Sequence, residues 1–386
     1  MSISLSNRIY ISFLYIFGLG AAGVFPVFLN INSDIFLILF FLWIVCSIHS
    51  ISYKAILLVI SFLLLFSIKS LFDILLISKI SPSFLSTILP DFRLLIISLL
   101  YFFYRDRLFY LDFKVIFFCV FLLHLTFNLI GEFDVGLYKN LQFLYHPDLV
   151  NAKWFDATGI KSTVAGHAAP WRLSGFYSLP SFAGLSVLIY LIYFLLTFNS
   201  RSYFLNLILI LITLYLGFRS TSTIFLAGIF ILPFFILKRK YLFFSSSILL
   251  IIFIGSLFFL DLSFFIDNFM SGRLQDGSKV MLLLEQIDLQ TFMFGKSMSF
   301  IPFYLSDNMF LIRVFSYGIF FTMFIYSIFY VYLYKLFGPY YLSISLFLFV
   351  IFLLAELGVR AVAAPTVCFL FLCFLLIKYK RFSQYE

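Results

Sequence analysis

The chain of 386 residues is 63% hydrophobic and only 11% charged, and it carries a net charge of +9 at pH 7. Soluble domains are about 45–50% apolar and about 25% charged. The composition therefore excludes a soluble enzyme, a disordered chain and a secreted disulfide scaffold, and it predicts an integral membrane protein.

About twelve continuous apolar runs are predicted to be transmembrane helices, since a span requires roughly 20 apolar residues. The runs do not alternate between apolar and polar residues, which favours helices over a membrane barrel. The predicted fold is therefore all-α, a polytopic helix bundle that forms a single membrane domain. The predicted spans cover approximately residues 9–29, 35–48, 55–75, 88–104, 115–131, 182–198, 204–218, 220–237, 241–261, 308–334, 340–357 and 361–377.

Lysine and arginine residues cluster at alternate connections between these runs, as at 238–240 and 378–381. Because cytoplasmic loops carry the excess of these residues, both termini are predicted to lie in the cytoplasm. The positive net charge then reflects topology in a lipid bilayer, and no binding to nucleic acid is predicted. Two long segments, 131–180 and 262–307, are predicted to form loops on the outer face, where long loops usually carry function.

Motifs for soluble cofactor chemistry are absent from the sequence, which holds no P-loop, dinucleotide-binding glycine motif, zinc-protease motif or nucleophile elbow. One acidic pair, Glu132 and Asp134, stands at the start of the first outer loop. Two interpretations of this pair are open, as ligands of a divalent ion or as the hydrated beginning of a loop. No cofactor and no metal site are predicted.

Six arginines fall on the outward half of the predicted bundle, where an uncompensated charge costs about 2.5–3.5 kcal/mol if it lies near the bilayer centre. The rigid guanidinium fork matches the oxygens of a phosphate and is always charged. Several arginines that converge from different helices therefore predict an anion site at the outer membrane surface. The six residues are Arg93, Arg172, Arg219, Arg273, Arg313 and Arg360.

Alternative roles are open for some of these arginines. Glu356 precedes Arg360 by four residues, so the two side chains are expected to be able to neutralise each other on one helix face. Arg93 and Arg313 are placed where their long side chains could reach lipid headgroups. Arg172, Arg219 and Arg273 have no acidic partner nearby in the sequence, which favours a functional role for them.

Candidate acids, bases and sugar-stacking residues lie on the two outer loops. Asp307 is the leading candidate for a general base, with the cap of the following helix as its alternative role. His167 is the substitute base, with an ordinary exposed loop histidine as the alternative. Trp154 and Trp171 are candidates for stacking on sugar rings or for anchoring at the membrane interface. His124, inside a predicted span, is expected to form an interhelical hydrogen bond.

Residues 171–181 resemble the arginine–glycine segment, followed by Pro-Ser at the start of a span, of O-antigen polymerases of the Wzy type. Arg219, in a turn rich in serine and threonine, resembles a second feature of that family, which O-antigen ligases share. Arg273 followed by Gly295 resembles the pattern of the family's second loop. Asp307 with Gly318 resembles the motif at the exit from that loop, where the ligases carry histidine in place of the aspartate.

The resemblance implies a metal-independent membrane glycosyltransferase of the bacterial inner membrane with its active site on the periplasmic side. It would transfer a growing glycan from undecaprenyl diphosphate onto a new lipid-linked repeat unit. Asp307, with His167 as substitute, would be the base. The resemblance also implies a chain-length regulator as a further partner protein. The diphosphate would be bound by Arg172, Arg219 and Arg273, with Arg313 and Arg360 beside them.

Two other functions are weighed against the polymerase. An O-antigen ligase would move finished polymer to a lipid acceptor, and Asp307 in place of histidine disfavours it. A flippase of lipid-linked oligosaccharide belongs to a different class, in which internal repeats and charges at the bilayer midplane are frequent. The sequence shows no internal repeat, and its unusual charges gather on one side of the predicted bundle, which favours the enzyme.

Overall fold

The described part of the chain is entirely helical in its regular structure. The computed structural model describes residues 113–145, 173–177, 179–197, 203–220, 222–236, 287–295, 309–337, 342–358 and 365–382, together with residue 285 and scattered positions between 18 and 64. Within these residues no strand is formed, so the predicted all-α class is confirmed for them.

Ten helices with continuous bounds make up this part of the protein. A single residue, Asp134, separates the first two, and a single glycine, Gly318, separates the seventh from the eighth. They are α1 (Phe113–Phe133), α2 (Val135–Tyr145), α3 (Pro180–Leu196), α4 (Tyr203–Ser220), α5 (Thr223–Ile236), α6 (Leu289–Phe294), α7 (Met309–Tyr317), α8 (Ile319–Phe337), α9 (Leu342–Gly358) and α10 (Pro365–Phe382).

Six predicted spans coincide closely with α1, α3, α4, α5, α9 and α10. The prediction of one continuous span over 308–334 is wrong. This stretch consists of two helices, α7 and α8, with a break at Gly318. The predicted outer loops also contain helices, with α2 in the first and α6 in the second. The predicted spans 88–104 and 241–261, and all but isolated positions of the three earlier ones, lie outside the described residues.

The centre of the described bundle is α3, which is buried along almost its whole length from Pro180 to Phe194. A helix that is apolar on every side can be stable only when neighbours surround it. It packs against α4, α5 and α10. Its tyrosine Tyr190 meets Phe117 and Phe121 of α1 edge to face, with ring centroids 5.4 and 5.1 Å apart. These contacts fix α1 against the central helix.

Contacts along the helices give their relative directions. Phe117, near the start of α1, packs on Phe194 near the end of α3, whereas Gly131, near the end of α1, packs on Leu173 just before α3. The two helices are therefore antiparallel. Leu173 also bonds to Arg219 at the end of α4. The end of α1, the start of α3 and the end of α4 thus share one end of the bundle, called here the α4 mouth.

Two of the described helices, α1 and α4, are long and apolar enough to cross a bilayer by length and composition, and shorter apolar stretches occupy α3, α8 and α10. Large apolar side chains also point away from the protein on these helices. On α4, Phe204 and Phe218 are mostly exposed, and Leu129 of α1 and Phe320 of α8 are similarly uncovered. Exposed apolar surface of this extent is typical of protein that contacts lipid or a partner.

Candidate functional site

The described residues include two of the nine predicted site residues, Arg219 and Arg313. Their surroundings can therefore be compared directly with the predictions. The other seven lie outside the described residues, and so does Arg93. These seven are Arg172, Arg273, Arg360, Asp307, His167, Trp154 and Trp171.

Arg219 belongs to a partly exposed charged cluster at the α4 mouth. It forms an ion pair with Glu132 from the end of α1, and the two side chains are 24% and 31% exposed. Tyr215, one turn earlier on α4, donates a hydrogen bond to the same carboxylate at 2.8 Å. A cation in the last turn of a helix is also favoured by the helix dipole. The acidic partner that the local sequence lacks is therefore supplied by another helix.

The two members of the acidic pair have separate tasks in the structure. Glu132 faces Arg219, whereas Asp134 accepts a hydrogen bond from the backbone N–H of Leu137 at 2.9 Å and so caps the start of α2. Within the described residues, no group of three or more histidine, cysteine or acidic side chains is arranged to hold a metal ion. The arrangement favours a structural and electrostatic role for the pair over joint metal binding.

The segment 173–177 is anchored beside this charged cluster. The N–H of Leu173 donates to the carbonyl oxygen of Arg219 at 2.9 Å. The Leu173 side chain lies so close to Gly131 that a Cβ there would stand 2.8 Å from it. Leu173 directly follows Arg172 in the sequence. Residues 173–177, which follow Arg172 in the sequence, and Arg219 are therefore neighbours in space at the α4 mouth.

A buried polar layer lies beneath the segment 173–177. The imidazole of His124 is 5.0 Å from the ring of Tyr177, and the Tyr177 hydroxyl is 3.1 Å from that of Tyr190. Burial raises the pKa of Tyr177 to about 12, so its hydroxyl stays protonated at neutral pH. The interhelical hydrogen bond predicted for His124 is not formed with any described residue, and the ring makes aromatic contacts instead.

Arg313 lies in a different environment, completely buried between α7, α8 and α9. Its guanidinium forms an ion pair with Glu356, which is also completely buried, and donates to the hydroxyl of Tyr326 at 2.7 Å. Its charge is thus neutralised inside the protein, and its side chain does not reach a headgroup surface. The burial favours a structural role for Arg313 over the predicted contact with a diphosphate. Glu356, for which the sequence left open a pairing with Arg360, forms an ion pair with Arg313, and Arg360 lies outside the described residues.

The two glycines named in the second-loop resemblance meet in the structure. Gly295 ends α6 and Gly318 separates α7 from α8, and both have a positive φ, of 79° and 80°. A Cβ on Gly295 would stand 2.5 Å from the carbonyl oxygen of Ser316, and a Cβ on Gly318 would overlap the carbonyl of Met293. The backbones therefore cross in direct contact, which only glycine allows here.

Comparisons of the chain with protein-family models, curated proteins and solved structures find no match.

Sequence reasoning did not identify Tyr215. It also did not predict that Glu132 pairs with Arg219 or that Glu356 pairs with Arg313. The sequence did contain an indication of the pair between Glu132 and Arg219, because both residues stand at the outward ends of predicted spans. Helices that run in the same direction bring such ends together only when they are neighbours in the bundle. That neighbour relation depends on packing and not on spacing along the chain.

Proposed function

We propose that this protein is a polytopic membrane glycosyltransferase of the O-antigen polymerase type, with about twelve spans and two periplasmic loops. The observation that carries the proposal is the hydrogen bond between Leu173 and Arg219 beside Glu132. It joins the segment that follows Arg172 to the helix end that bears Arg219. Residues 173–177, which follow Arg172 in the first arginine motif, and Arg219 of the second motif are thus neighbours, and this contact supports the proposal.

The proposed chemistry uses this region to bind a lipid diphosphate. The acceptor hydroxyl of a new repeat unit attacks the anomeric carbon of the growing glycan, and the bond from that carbon to the diphosphate oxygen breaks. The hydroxyl proton passes to Asp307, and the electron pair leaves with undecaprenyl diphosphate. Arg172, Arg219 and Arg273 stabilise the charge that develops on this leaving group, which is the usual use of preorganised cations.

The ion pair between Arg219 and Glu132 is suited to such a site. A partly exposed ion pair contributes only about 0.2–1 kcal/mol, so its rupture costs little. A diphosphate carries more negative charge than a carboxylate and presents several oxygens to the guanidinium fork. Glu132 therefore holds Arg219 in position, and the diphosphate of the donor replaces the carboxylate when it binds.

The membrane topology in this proposal draws on the composition and on the exposed apolar faces of α1, α4 and α8. Helices α1 and α4 would run outward and α3 and α5 inward, so that the α4 mouth opens at the periplasmic face. The donor's polyprenyl chain would remain in the bilayer while its diphosphate reaches the mouth. A hydrophobic chain with an anionic head at the membrane surface fits the exposed apolar faces of these helices together with the guanidinium of Arg219 at the end of α4.

Deletion of the gene, followed by a gel of the surface glycan, separates this proposal from its rivals. Loss of a polymerase leaves single repeats attached to the lipid acceptor, whereas loss of a ligase leaves no attached glycan. Loss of a flippase strands lipid-linked repeats on the cytoplasmic leaflet. We expect single repeats. We also expect purified protein to polymerise undecaprenyl-diphosphate-linked repeats in the presence of a chelator, and absence of either result would overturn the proposal.

Replacement of Arg219 with alanine is expected to reduce polymer formation at least about 100-fold, since an electrostatic donor to a transition state typically contributes that much. Arg219→Lys should retain part of the activity, because it keeps the charge but loses the fork. Polymer formed by purified protein from lipid-linked repeats is the readout. The matched control is Lys114→Ala, which removes an exposed cation from the opposite end of α1. Full activity of Arg219→Ala would remove Arg219 from the site.

A further inference from the structure

The short helix α2 lies within the segment that the sequence predicts to be an outer loop, and it turns two buried polar side chains toward the segment 173–177. Tyr138 and Gln142 are four residues apart and therefore lie on the same face of α2. Both are buried, although neighbouring side chains such as Leu137 and Leu144 are exposed. A buried tyrosine and a buried glutamine on a helix whose other described side chains are exposed or partly exposed indicate a specific polar contact.

That contact is made with the backbone of the segment 173–177. The N–H of Ser174 donates to the Tyr138 hydroxyl at 3.2 Å, and the Tyr138 hydroxyl donates to the carbonyl oxygen of Gly175 at 3.3 Å. The Gln142 side-chain amide donates to the same carbonyl and to the Tyr138 hydroxyl. Two backbone groups of a buried, non-helical segment thus have their partners on α2, and such groups are costly to leave unpaired.

Space for an alternative path of the segment is lacking on its other side. Gly175 lies directly against the imidazole of His124, where an added Cβ would overlap the ring. Phe176 and Tyr177 stack on each other with their ring centroids 4.3 Å apart, and both are buried. Burial raises the pKa of Tyr138 above its ordinary value. The segment 173–177 is therefore packed between His124 of α1 and the polar side chains of α2.

Helix α2 is itself held rigidly to α1. Only Asp134 separates the two helices, its side chain caps α2 through Leu137, and its carbonyl accepts from the N–H of Tyr138 at 3.0 Å. Glu132, two residues before Asp134, pairs with Arg219. These contacts form a continuous series. It runs from the end of α1 through α2 to the hydrogen-bonded Gly175, then through Leu173 to the backbone of Arg219, whose side chain pairs with Glu132 at the end of α1. A shift at any point of this series moves the segment relative to Arg219.

We propose that Tyr138 and Gln142 are positioning residues, which fix residues 173–177 against the end of α4 and thereby set the distance between this segment and Arg219 where the lipid diphosphate binds. The inference rests on the proposed function and adds to it a role for the helix in the first outer loop. The two side chains act through Ser174 and Gly175 and make no contact with substrate.

The test uses the full-length protein with Tyr138→Phe and Gln142→Leu, alone and combined. Each change keeps most of the side-chain volume and removes the hydrogen bonds to the segment. Displacement of a binding group by about 1 Å can reduce a rate about 100-fold. We expect kcat with undecaprenyl-diphosphate-linked repeats to fall between about 10-fold and 100-fold, with a much smaller change in the KM for the acceptor. Lys139→Ala, on the same helix beside Phe143, should leave both parameters unchanged.

The possible outcomes separate the inference from the proposed function. Wild-type protein that fails to polymerise would overturn both. Active wild-type protein with unchanged kinetics in all three variants would overturn the inference alone, as would an equal loss in Lys139→Ala. If Gln142→Leu fails to accumulate as folded protein, Tyr138→Phe decides the matter, because it removes a single oxygen atom and retains the packing. A selective fall in kcat in a variant with wild-type thermal unfolding supports the inference.

Discussion

Replacement of Gly318 with alanine is expected to destabilise the protein by about 2–5 kcal/mol, which combines the strain of a left-handed backbone with the overlap of the new Cβ. The φ of Gly318 is 80°, and the Cβ would meet the backbone of Met293 rather than a flexible side chain. The backbone must therefore move as a whole. We expect a fall of several degrees in the apparent melting temperature of the protein in detergent, or loss of folded protein in the membrane.

Gly295→Ala should have a comparable effect, because its Cβ would stand 2.6 Å from the carbonyl carbon of Ser316 and 2.7 Å from the backbone nitrogen of Gly318. The control is Gly136→Ala on α2, where the nearest atom is a carboxylate oxygen of the exposed Asp134 side chain at 3.3 Å, not backbone, and the backbone φ is not positive. That change should be neutral or slightly stabilising. Equal melting temperatures for all three variants would show that the two backbones do not cross in contact.

Removal of one partner of the buried ion pair, by Arg313→Met or Glu356→Leu, is expected to destabilise the protein by about 3–5 kcal/mol. Each single change leaves the remaining charge without its ionic partner in a site from which water is excluded. The same changes made together remove both charges, and replacement of a buried pair by apolar side chains is often neutral or stabilising. Thermal unfolding of the purified single and double variants measures the difference.

The double variant also decides whether Arg313 takes part in the proposed chemistry. A structural role predicts that Arg313→Met with Glu356→Leu restores both folding and polymer formation. A well-folded but inactive double variant would return Arg313 to the diphosphate site, as the sequence first suggested. Single variants that unfold like the wild type would contradict the buried pair itself. Tyr326→Phe, which removes only the hydroxyl beside the pair, should cause a smaller loss of stability.

Helices were predictable from the sequence wherever a long apolar run stood alone. The predicted spans 115–131 and 182–198 agree with α1 and α3 to within about two residues at most ends, because length and hydrophobicity decide such elements locally. The break at Gly318 was not predicted, since a glycine inside an apolar run is compatible with a continuous helix. The break is required because the backbone of α6, at Met293 and Phe294, lies directly against Gly318.

The candidate site was predictable in its residue types and only partly in its contacts. Arg219 stood out because no acidic residue lay near it in the sequence, and the structure provides Glu132 from another helix. Arg313 was interpreted as a residue beside the diphosphate or in contact with headgroups, yet it pairs with Glu356 in the interior. The sequence records that a charge is present at a costly position, but whether it faces a substrate or an internal partner depends on which helices are neighbours.

If the chain spans a membrane as proposed, the interruption between α7 and α8 has a consequence for how it fits the bilayer. An unbroken helix from residue 309 to residue 337 would be about 43 Å long at 1.5 Å per residue, against a hydrocarbon core of about 30 Å. Such a mismatch would require steep tilting or local thickening of the lipid. With the break, α8 alone has close to the length of the core, and α7 is free to take another direction. The bilayer can then keep its ordinary thickness around this part of the protein.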